Sequence, residues 1–365
     1  MARIVQISFH RDPQGRAPAQ LLQDWPTVPQ LAEAAAGAGA DVLVVQACAA
    51  VEQLWQGGIG YHFLPCDSEP ERLAKLLDRL RPELVHVQGL GFVQQVSTLA
   101  SLVPGRPIVL QDRADAPPRP WRWPAWRRAL KSARGLMFCA REQALPFRRR
   151  GLIAADTRIY EVPGSSCAFE TRGPAAARAD ALLAGEPCLL WVAHLDRNKD
   201  PLTVLDGVAL AVPRLPGLQL WLCYGRSPLH DAVRERMRDP LLAGRVHLLG
   251  AQPHARIETL MASADILVQG SHREATGYSV IEALACGLGV AVTDIPSFRA
   301  LTGGCEAARL WPAGDASRLA NALVELAALP ATQRRALARA RFDSHCSVEA
   351  LGRRLVAAYE DLLAI

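Results

Sequence analysis

Short apolar runs alternate with amphipathic segments along almost the whole first half of the chain. The predicted strands are residues 3–9, 41–46, 60–64, 84–88, 107–111, 135–139 and 158–162. The predicted helices, which have apolar residues at helical spacing, are residues 28–38, 69–80, 91–102, 124–133 and 141–150. Strands that alternate with helices predict βαβ units and a parallel sheet.

The second half repeats the alternation after a segment, 163–187, that is rich in Ala, Gly and Pro. Its predicted strands are residues 188–193, 217–223, 245–248, 265–269, 289–293 and 307–310. Its predicted helices are residues 200–211, 229–237, 254–262, 278–286, 296–302 and 315–328, and the tail 330–363 has the pattern of two more. A chain of 365 residues is expected to form about two domains. We therefore predict an α/β fold with two parallel-sheet domains and a boundary within 163–187.

The segment 271–287 carries the most specific chemistry. It follows an apolar strand, contains the carboxylates Glu274 and Glu282, and enters a helix at Ser279. Free backbone N–H groups at a helix start bind anions such as phosphate. Glu282, one turn into the helix, is placed to accept hydrogen bonds from hydroxyl groups. A phosphate next to a diol describes a nucleotide-sugar.

A second block, Trp191-Val-Ala-His-Leu-Asp-Arg-Asn-Lys-Asp-Pro-Leu-Thr-Val-Leu205, lies about 80 residues before the first. Together the two blocks resemble the donor-binding signature of retaining glycosyltransferases of the GT-B fold, the group 1 or family 4-like enzymes. The resemblance covers 186–365 well and the first half in outline. It implies two Rossmann-like domains that face a central cleft. Residues 1–165 would form the acceptor side, 166–345 would bind the nucleotide-sugar, and a helix in 346–365 would pack back on the first domain.

The resemblance also implies roles for individual residues of the second domain. Lys199 would neutralise the donor diphosphate, Glu274 would contact the transferred sugar or support its positive charge, and Glu282 would bind the ribose. Gly277 would allow close approach of the phosphate to backbone N–H groups. These N–H groups belong to Tyr278, Ser279 and Val280.

The chain departs from the family pattern at two places. His194 stands where similar enzymes have an Arg that shares the phosphate, and a neutral imidazole carries no fixed charge. Arg197, in the same loop, is the alternative phosphate ligand. Similar enzymes also have a reaction-centre histidine after the fifth strand, where this chain has Gln111, Asp112 and Arg113. Asp112 would orient a sugar hydroxyl, and Arg113 would bind phosphate on the acceptor side.

The loop after the first strand supplies the other acceptor-side candidates. His10 and Arg11 would face the cleft, with Arg11 meeting an anionic group. An ordinary surface turn at Asp12-Pro13 explains the same residues equally well. His86 is interpreted as a core histidine of its strand and not as a ligand.

Basic residues are concentrated in the first half. The net charge is +5, yet 113–150 alone holds eleven Lys and Arg against two acidic residues, a net of +9. Within it, Trp121, Trp123, Trp126 and Arg127 would suit peripheral contact with a membrane interface. Packing of the Trp side chains in the core is the alternative. No nucleic-acid-binding signature accompanies them, so we expect no nucleic-acid partner.

The remaining residue types exclude several classes of protein. The nine cysteines are scattered and never form Cys-x-x-Cys, which favours reduced thiols over disulfides or a zinc site. The N-terminus lacks the pattern of a signal peptide, so a cytoplasmic protein is expected, with the inner face of the membrane as its place of contact. No cluster has metal-ligand spacing. We expect no metal and no cofactor.

The sequence thus predicts a metal-independent, retaining glycosyltransferase (a hexosyltransferase). It would transfer a sugar from a UDP- or GDP-sugar to a hydroxyl of a glycan, lipid or small molecule. The departures at His194 and after the fifth strand favour, as the alternative, a catalytically degenerate nucleotide-sugar-binding protein or partner subunit. A GT-B epimerase, and a membrane or nucleic-acid binding module, are further alternatives.

Overall fold

The computed structural model describes residues 2–25, 27–113, 116–169 and 183–364. The chain folds into two units, one formed by Met1–Ser166 with Val348–Ile365 and the other by Cys167–Ser347. Each unit is built on one sheet of parallel or mostly parallel strands. Residues 170–182, inside the segment 163–187 in which the sequence places the domain boundary, lie outside the described residues.

The N-terminal unit contains a mixed sheet. Its described strands are β1 (Arg3–Ser8), β2 (Asp41–Ala47), β3 (Glu52–Gln56), β4 (Ile59–Leu64), β5 (Leu84–Gln88), β6 (Ile108–Gln111), β7 (Gly135–Phe138) and β8 (Arg158–Glu161). Its helices before the boundary are α1 (Pro18–Asp24), α2 (Thr27–Gly37), α3 (Pro70–Leu80), α4 (Val93–Leu102), α5 (Trp123–Lys131) and α6 (Leu145–Arg148). Within the described ranges the strand order is β3-β4-β2-β1-β5-β6-β7-β8.

The edge strand β3 departs from the all-parallel sheet that the sequence predicts. It runs antiparallel to β4, with Glu52 opposite Phe63 and Gln56 opposite Ile59. Both faces of β3 are largely exposed, so it has no alternation of apolar and polar residues to reveal it. The turn dipeptide Gly57-Gly58 between the two strands is the signal that indicates this hairpin.

The C-terminal unit contains a parallel sheet. Its described strands are β9 (Cys188–Val192), β10 (Gln219–Cys223), β11 (Val246–Gly250), β12 (Ile266–Gln269), β13 (Gly289–Thr293) and β14 (Ala308–Trp311). Its described helices are α7 (Pro201–Ala211), α8 (His230–Arg236), α9 (His254–Ser263), α10 (Tyr278–Ala285), α11 (Pro296–Thr302), α12 (Ala316–Ala328) and α13 (Ala331–Arg341). In the described part of the chain the order is β11-β10-β9-β12-β13-β14, so the direction of winding reverses between β9 and β12.

The last helix, α14 (Val348–Leu363), packs within the N-terminal unit. Leu351 and Leu355 of α14 share one buried cluster with Leu31 of α2. The Tyr359 hydroxyl lies 2.8 Å from Nδ1 of His86. His86 is fully buried, and burial lowers its pKa to about 3, so it stays neutral. The interpretation of His86 as a core histidine is confirmed.

Gly352→Ala is expected to destabilise the N-terminal unit by about 2 kcal/mol through overpacking. A Cβ at this position of α14 would lie 2.1 Å from the backbone oxygen of Ala34 in α2, a contact that only a shift of the helices can relieve. Gly37→Ala is the matched control, because its Cβ would meet nothing within 4 Å. Thermal unfolding of the two variants measures the difference. An equal midpoint for both would contradict the close packing of α14 on α2.

The Trp-containing segment is only partly a surface feature. Trp121 is 70% exposed, but Trp126 is buried in the core of the N-terminal unit. The Trp123 indole N–H donates to Pro118 O (3.0 Å), and Arg127 Nε donates to Gly151 O (2.9 Å). The prediction that Trp126 contacts a membrane is therefore wrong, because this side chain packs in the core beneath α5.

The hydropathy of the helices and the state of the cysteines bear on the predicted class of protein. Of the helices in the described ranges, none combines the length and the hydropathy that crossing a bilayer requires. All nine cysteines are free thiols, and seven of them are buried. Burial raises the pKa of the Cys223 and Cys286 thiols to about 12, so both remain protonated.

Candidate functional site

Two loops leave neighbouring strands at the point where the C-terminal sheet changes its direction of winding. Residues 193–200 connect β9 to α7, and residues 270–277 connect β12 to α10. β9 and β12 are parallel neighbours, with Leu189 opposite Ile266. Ligands of open α/β sheets bind at such a switch point, outside the carboxyl ends of the strands. The strand order therefore places both predicted motifs at one location.

A hollow of about 360 Å³ lies at this edge of the sheet. It is lined by Val192, Ala193, His194, Lys199, Cys223, Tyr224, Gly225, Ala251, Gln252, Ile257, Glu274, Gly277, Tyr278, Ser279 and Glu282. Its volume is within the range that small-molecule sites usually have. Carboxylates, an ammonium group, an imidazole and a helix start thus converge on one concave surface.

Lys199 and Glu274 form an ion pair across the two loops. Both side chains are mostly buried, at 19% and 15% exposure. The Ser271 hydroxyl also donates to Oε1 of Glu274, at 2.7 Å. The Lys199 backbone N–H donates to Oδ1 of Asp196 (3.0 Å), which fixes the turn that carries the ammonium. The pair places opposite charges side by side at the wall of the hollow.

Backbone contacts hold the two loops together. The His272 N–H donates to Asn198 O (2.7 Å), and the Asn198 side-chain amide donates to Arg273 O (3.0 Å). Gly270, directly after β12, permits the close approach of the other loop. A Cβ there would lie 2.9 Å from Lys199 O. The Lys199–Glu274 pair therefore spans two loops that are also bonded to each other through their backbones.

Glu282 faces the hollow from the first turns of α10 and has a partner that the sequence analysis missed. Nε2 of His254, the first residue of α9, lies 3.0 Å from Oε1 of Glu282. The ring of Phe169 lies against His254, with centroids 4.8 Å apart. The Glu282 side chain is 15% exposed, whereas that of His254 is 63% exposed. His254 thus orients the carboxylate from the solvent side.

The pKa of His254 is raised from its ordinary value of 6.5, chiefly because Glu282 accepts its hydrogen bond. A raised histidine pKa stabilises the fold below the unfolded-state pKa of about 6.5, and this contribution is lost as the pH rises through the folded-state pKa. We expect Glu282→Gln to return the His254 titration towards 6.5, measured by NMR of the imidazole. The control Glu235→Gln, at an exposed glutamate of α8, should leave the titration unchanged. Equal midpoints in wild type and Glu282→Gln would contradict this contact.

His194 is held as a neutral hydrogen-bond donor. Its Nδ1 accepts the backbone N–H of Arg226 (3.2 Å), so the proton of the neutral ring sits on Nε2. Burial, and then the charge of Arg226, lower its pKa. His194 can therefore give one neutral N–H to a ligand, while Lys199 supplies the permanent cation among the side chains that line the hollow.

The start of α10 is shaped by Gly277, which has φ of 97°. A Cβ there would lie 2.6 Å from the Phe298 ring, so only glycine fits this backbone against that side chain. The predicted phosphate cradle needs one correction. The Val280 N–H donates to Gly277 O (3.0 Å) and its side chain is buried, so the prediction that Val280 binds phosphate is wrong. The Ser279 hydroxyl accepts from Gln269 Nε2 (2.9 Å).

The structure brings most of the predicted donor residues to one hollow. They are His194, Lys199, Glu274, Gly277, Tyr278, Ser279 and Glu282. Arg197 is exposed and is absent from the described lining, so the prediction that it substitutes for the missing cation is not supported. Sequence reasoning missed Tyr224 and Gly225, which directly follow β10. The rule that ligands bind at carboxyl ends of strands indicates both positions.

The acceptor-side candidates lie at the carboxyl edge of the N-terminal sheet. The His10 ring packs on Trp25, and Arg11 forms an ion pair with Asp67 (2.8 Å), so the anionic group that Arg11 meets belongs to the chain. Arg113, after β6, donates to Gly164 O (2.6 Å) and to Gln88 Oε1 (3.0 Å). Asp112 is buried beside it.

A protein-family model with the description "glycosyl transferases group 1" matches residues 176–342. The matched segment is a little under half of the chain. It contains the whole hollow and both motifs that carry the resemblance. The match lies within the C-terminal unit, Cys167–Ser347.

Two characterised relatives match part of the chain. The 2-deoxystreptamine N-acetyl-D-glucosaminyltransferase of Streptomyces fradiae is 31% identical over 144 residues, which are 38% of this chain and 33% of the relative. The phosphatidyl-myo-inositol mannosyltransferase of Mycolicibacterium smegmatis is 33% identical over 154 residues, 40% of this chain and 39% of the relative. The matched region thus spans between a third and two fifths of each relative's length.

Solved structures are similar over the whole chain. The sucrose-phosphate synthase of Thermosynechococcus elongatus has a TM-score of 0.72 at 22% identity and covers 100% of both chains. The Anabaena protein HepE, solved in complex with UDP, has a TM-score of 0.70 at 17% identity and covers 98% of this chain and 100% of its own. These neighbours establish the GT-B fold class of the protein, and the predicted fold class is confirmed.

Proposed function

We propose that the protein is a retaining, metal-independent glycosyltransferase and that the hollow at β9 and β12 binds the nucleotide-sugar donor. The observation that carries the proposal is the convergence of Lys199, Glu274 and Glu282 on one concave surface at a topological switch point. The match of residues 176–342 to the glycosyl transferases group 1 model supports it.

Each lining residue has a distinct task in the proposed site. The Lys199 ammonium neutralises the diphosphate, whose negative charge grows as the bond to the sugar breaks. Glu282, oriented by His254, accepts hydrogen bonds from the ribose hydroxyls. Glu274 faces the transferred sugar, whose anomeric carbon becomes positively charged. His194 donates its Nε2 proton to the phosphate or the sugar. Catalysis in this arrangement consists of positioning and charge stabilisation.

The acceptor is proposed to be a hydroxyl group of a glycan, lipid or small molecule. Relatives named for 2-deoxystreptamine, for phosphatidyl-myo-inositol and for D-inositol 3-phosphate support polyhydroxylated acceptors as the first to try. Asp112 and Arg113 after β6, and His10 and Arg11 after β1, are the proposed acceptor contacts at the carboxyl edge of the N-terminal sheet. An anionic acceptor would have to compete with Asp67 for Arg11. Trp121, exposed on the basic segment, is the proposed point of contact with a membrane surface.

A thermal-shift screen with UDP, GDP, ADP and their sugars tests donor binding, because a ligand that binds the folded state raises the unfolding midpoint. HepE has been solved in complex with UDP and in complex with UDP and glucose, which supports UDP-glucose as the first donor to try. We expect one nucleotide and its sugar to shift the midpoint. When an acceptor is added to that nucleotide-sugar, transfer of the sugar should leave the free nucleoside diphosphate as the second product. No shift with any nucleotide would overturn the proposal.

A nucleotide-sugar-binding protein without turnover is the second candidate. Two observations favour it: His194 is held neutral, and the Lys199 ammonium is already engaged by Glu274. Donor binding then requires the diphosphate to compete with a carboxylate for the same cation. Release of free nucleotide from the bound nucleotide-sugar distinguishes the two candidates. A protein that binds the donor but releases no nucleotide, with or without acceptors, is the non-catalytic one.

A further inference from the structure

A second pair of side chains, Asp200 and His272, bridges the same two loops. Nε2 of His272 lies 3.1 Å from Oδ2 of Asp200. Neither residue is among the described residues that line the hollow. Asp200 directly follows Lys199, and His272 lies two residues before Glu274. The bridge thus joins the neighbours of the two charged residues of the site.

The backbone of Asp200 is in the left-handed region, with φ of 50° and ψ of 59°. Among the non-glycine residues that the structure describes, Arg81 is the other with positive φ. Glycine adopts this conformation without strain, and it is also accepted at the N-cap of a helix. Local backbone energetics at the start of α7 therefore favour glycine over aspartate at this position.

The Asp200 carboxylate has two contacts that glycine cannot make. Oδ1 accepts the Thr203 N–H (3.3 Å), a cap that glycine replaces at little cost, and Oδ2 faces His272. The contact with His272 is thus the property that offsets the strained backbone. Because His272 lies on the other loop, its contact with Asp200 stabilises the relative position of the two loops.

We propose that Asp200 and His272 are positioning residues that hold Lys199 and Glu274 in register, a role that rests on the proposed function. The bridge and the Lys199–Glu274 pair both cross between the loops, with the bond from His272 N–H to Asn198 O alongside them. With the bond from the Asn198 amide to Arg273 O, four linkages from residues 198 to 200 resist sliding of one loop along the other. The Glu274 carboxylate then keeps one orientation toward the ammonium when the donor enters.

Asp200→Gly separates this role from a structural one. The variant relieves the backbone strain, so its unfolding midpoint should equal or exceed that of the wild type. Turnover should fall about tenfold in kcat with little change in KM for the donor, because the reacting groups lose their alignment. Asp200→Asn tolerates the left-handed backbone and keeps a hydrogen bond to the imidazole, so it should restore most of the turnover. UDP-glucose, GDP-mannose and ADP-glucose each serve as donor probe.

His272→Ala provides the test of coupling. It should lower kcat about as much as Asp200→Gly, and the double variant should be no slower than the slower single one, because both changes remove the same bridge. Losses that multiply in the double variant, or wild-type kcat in Asp200→Gly, would overturn the proposal.

Hydrogen exchange of the nucleotide-free protein measures how firmly the Asp200–His272 bridge holds the loop, without any donor. The His272 amide, bonded to Asn198 O, should exchange faster in Asp200→Gly than in wild type or Asp200→Asn. Unchanged exchange would show that the bridge does not hold the loop, and it would overturn the inference alone. A wild-type protein that binds none of the three donors would instead overturn the proposed function, and the positioning role with it.

Discussion

Replacing Lys199 by alanine is expected to weaken binding of the matching nucleoside diphosphate about 100-fold and to lower kcat/KM for the nucleotide-sugar by at least as much. Lys199 provides the ammonium group among the side chains that line the described hollow, where His194 is held neutral and Arg197 is exposed. The low exposure of the Lys199 side chain strengthens its interaction with an incoming diphosphate compared with that of a surface lysine.

The loss of affinity in Lys199→Ala should appear only with ligands that carry phosphate groups. Lys199→Ala should bind the nucleoside without phosphate as well as the wild type does, because Lys199 acts on charge and not on the ribose or base. Calorimetric titration with the nucleoside and its diphosphate measures the difference. Arg238→Ala, an exposed cation of the same unit that pairs with Glu235, is the control and should change neither affinity. Equal losses for nucleoside and diphosphate would mean that Lys199 supports the fold of the hollow and not the phosphate.

The periodicity of the chain predicts the parallel strands of both sheets but not the antiparallel edge strand β3, and the two motifs at 191–205 and 271–287 indicate where the candidate site lies. Strand β9 and the helix α10 are visible as an apolar run and as apolar residues at helical spacing, and the residue types of Lys199 and Glu282 fit their predicted roles. The local pattern of apolar residues predicts these elements because buried parallel strands and the helices that cover them have strong hydrophobic periodicity.

Long-range partners are the part that the sequence cannot supply. His254 reaches Glu282 because α9 and α10 start near the same edge of the sheet, and nothing in the residues around either one specifies this pairing. Similarly, an amphipathic basic segment is compatible with Trp126 either at a membrane surface or in the core. Only the packing of α5 decides between these two locations. The sequence also does not show that the Val280 N–H is occupied, because this depends on the first turn of α10 closing on Gly277.

Glu282→Ala is the complementary change, and it should weaken binding of nucleoside and diphosphate alike. Loss of hydrogen bonds from two ribose hydroxyls to one carboxylate is expected to reduce the affinity about 100-fold. The fold should tolerate the change, since the partner left behind, His254, is largely exposed and can be solvated. Thermal unfolding of the free variant checks this point, with Glu235→Ala, an exposed glutamate of α8, as control.

A ligand lacking the ribose hydroxyls makes the assignment of Glu282 specific. Wild type should bind the 2′,3′-dideoxy nucleotide about 100-fold more weakly than the ribonucleotide, because the buried carboxylate then loses its hydrogen-bond donors. Glu282→Ala should bind both nucleotides with the same low affinity, so that mutation and ligand change are not additive. Lys199→Ala, by contrast, should keep the full discrimination between them. If Glu282→Ala still prefers the ribonucleotide as strongly as wild type does, Glu282 is not the ribose ligand, and its pairing with His254 serves only to join α9 to α10.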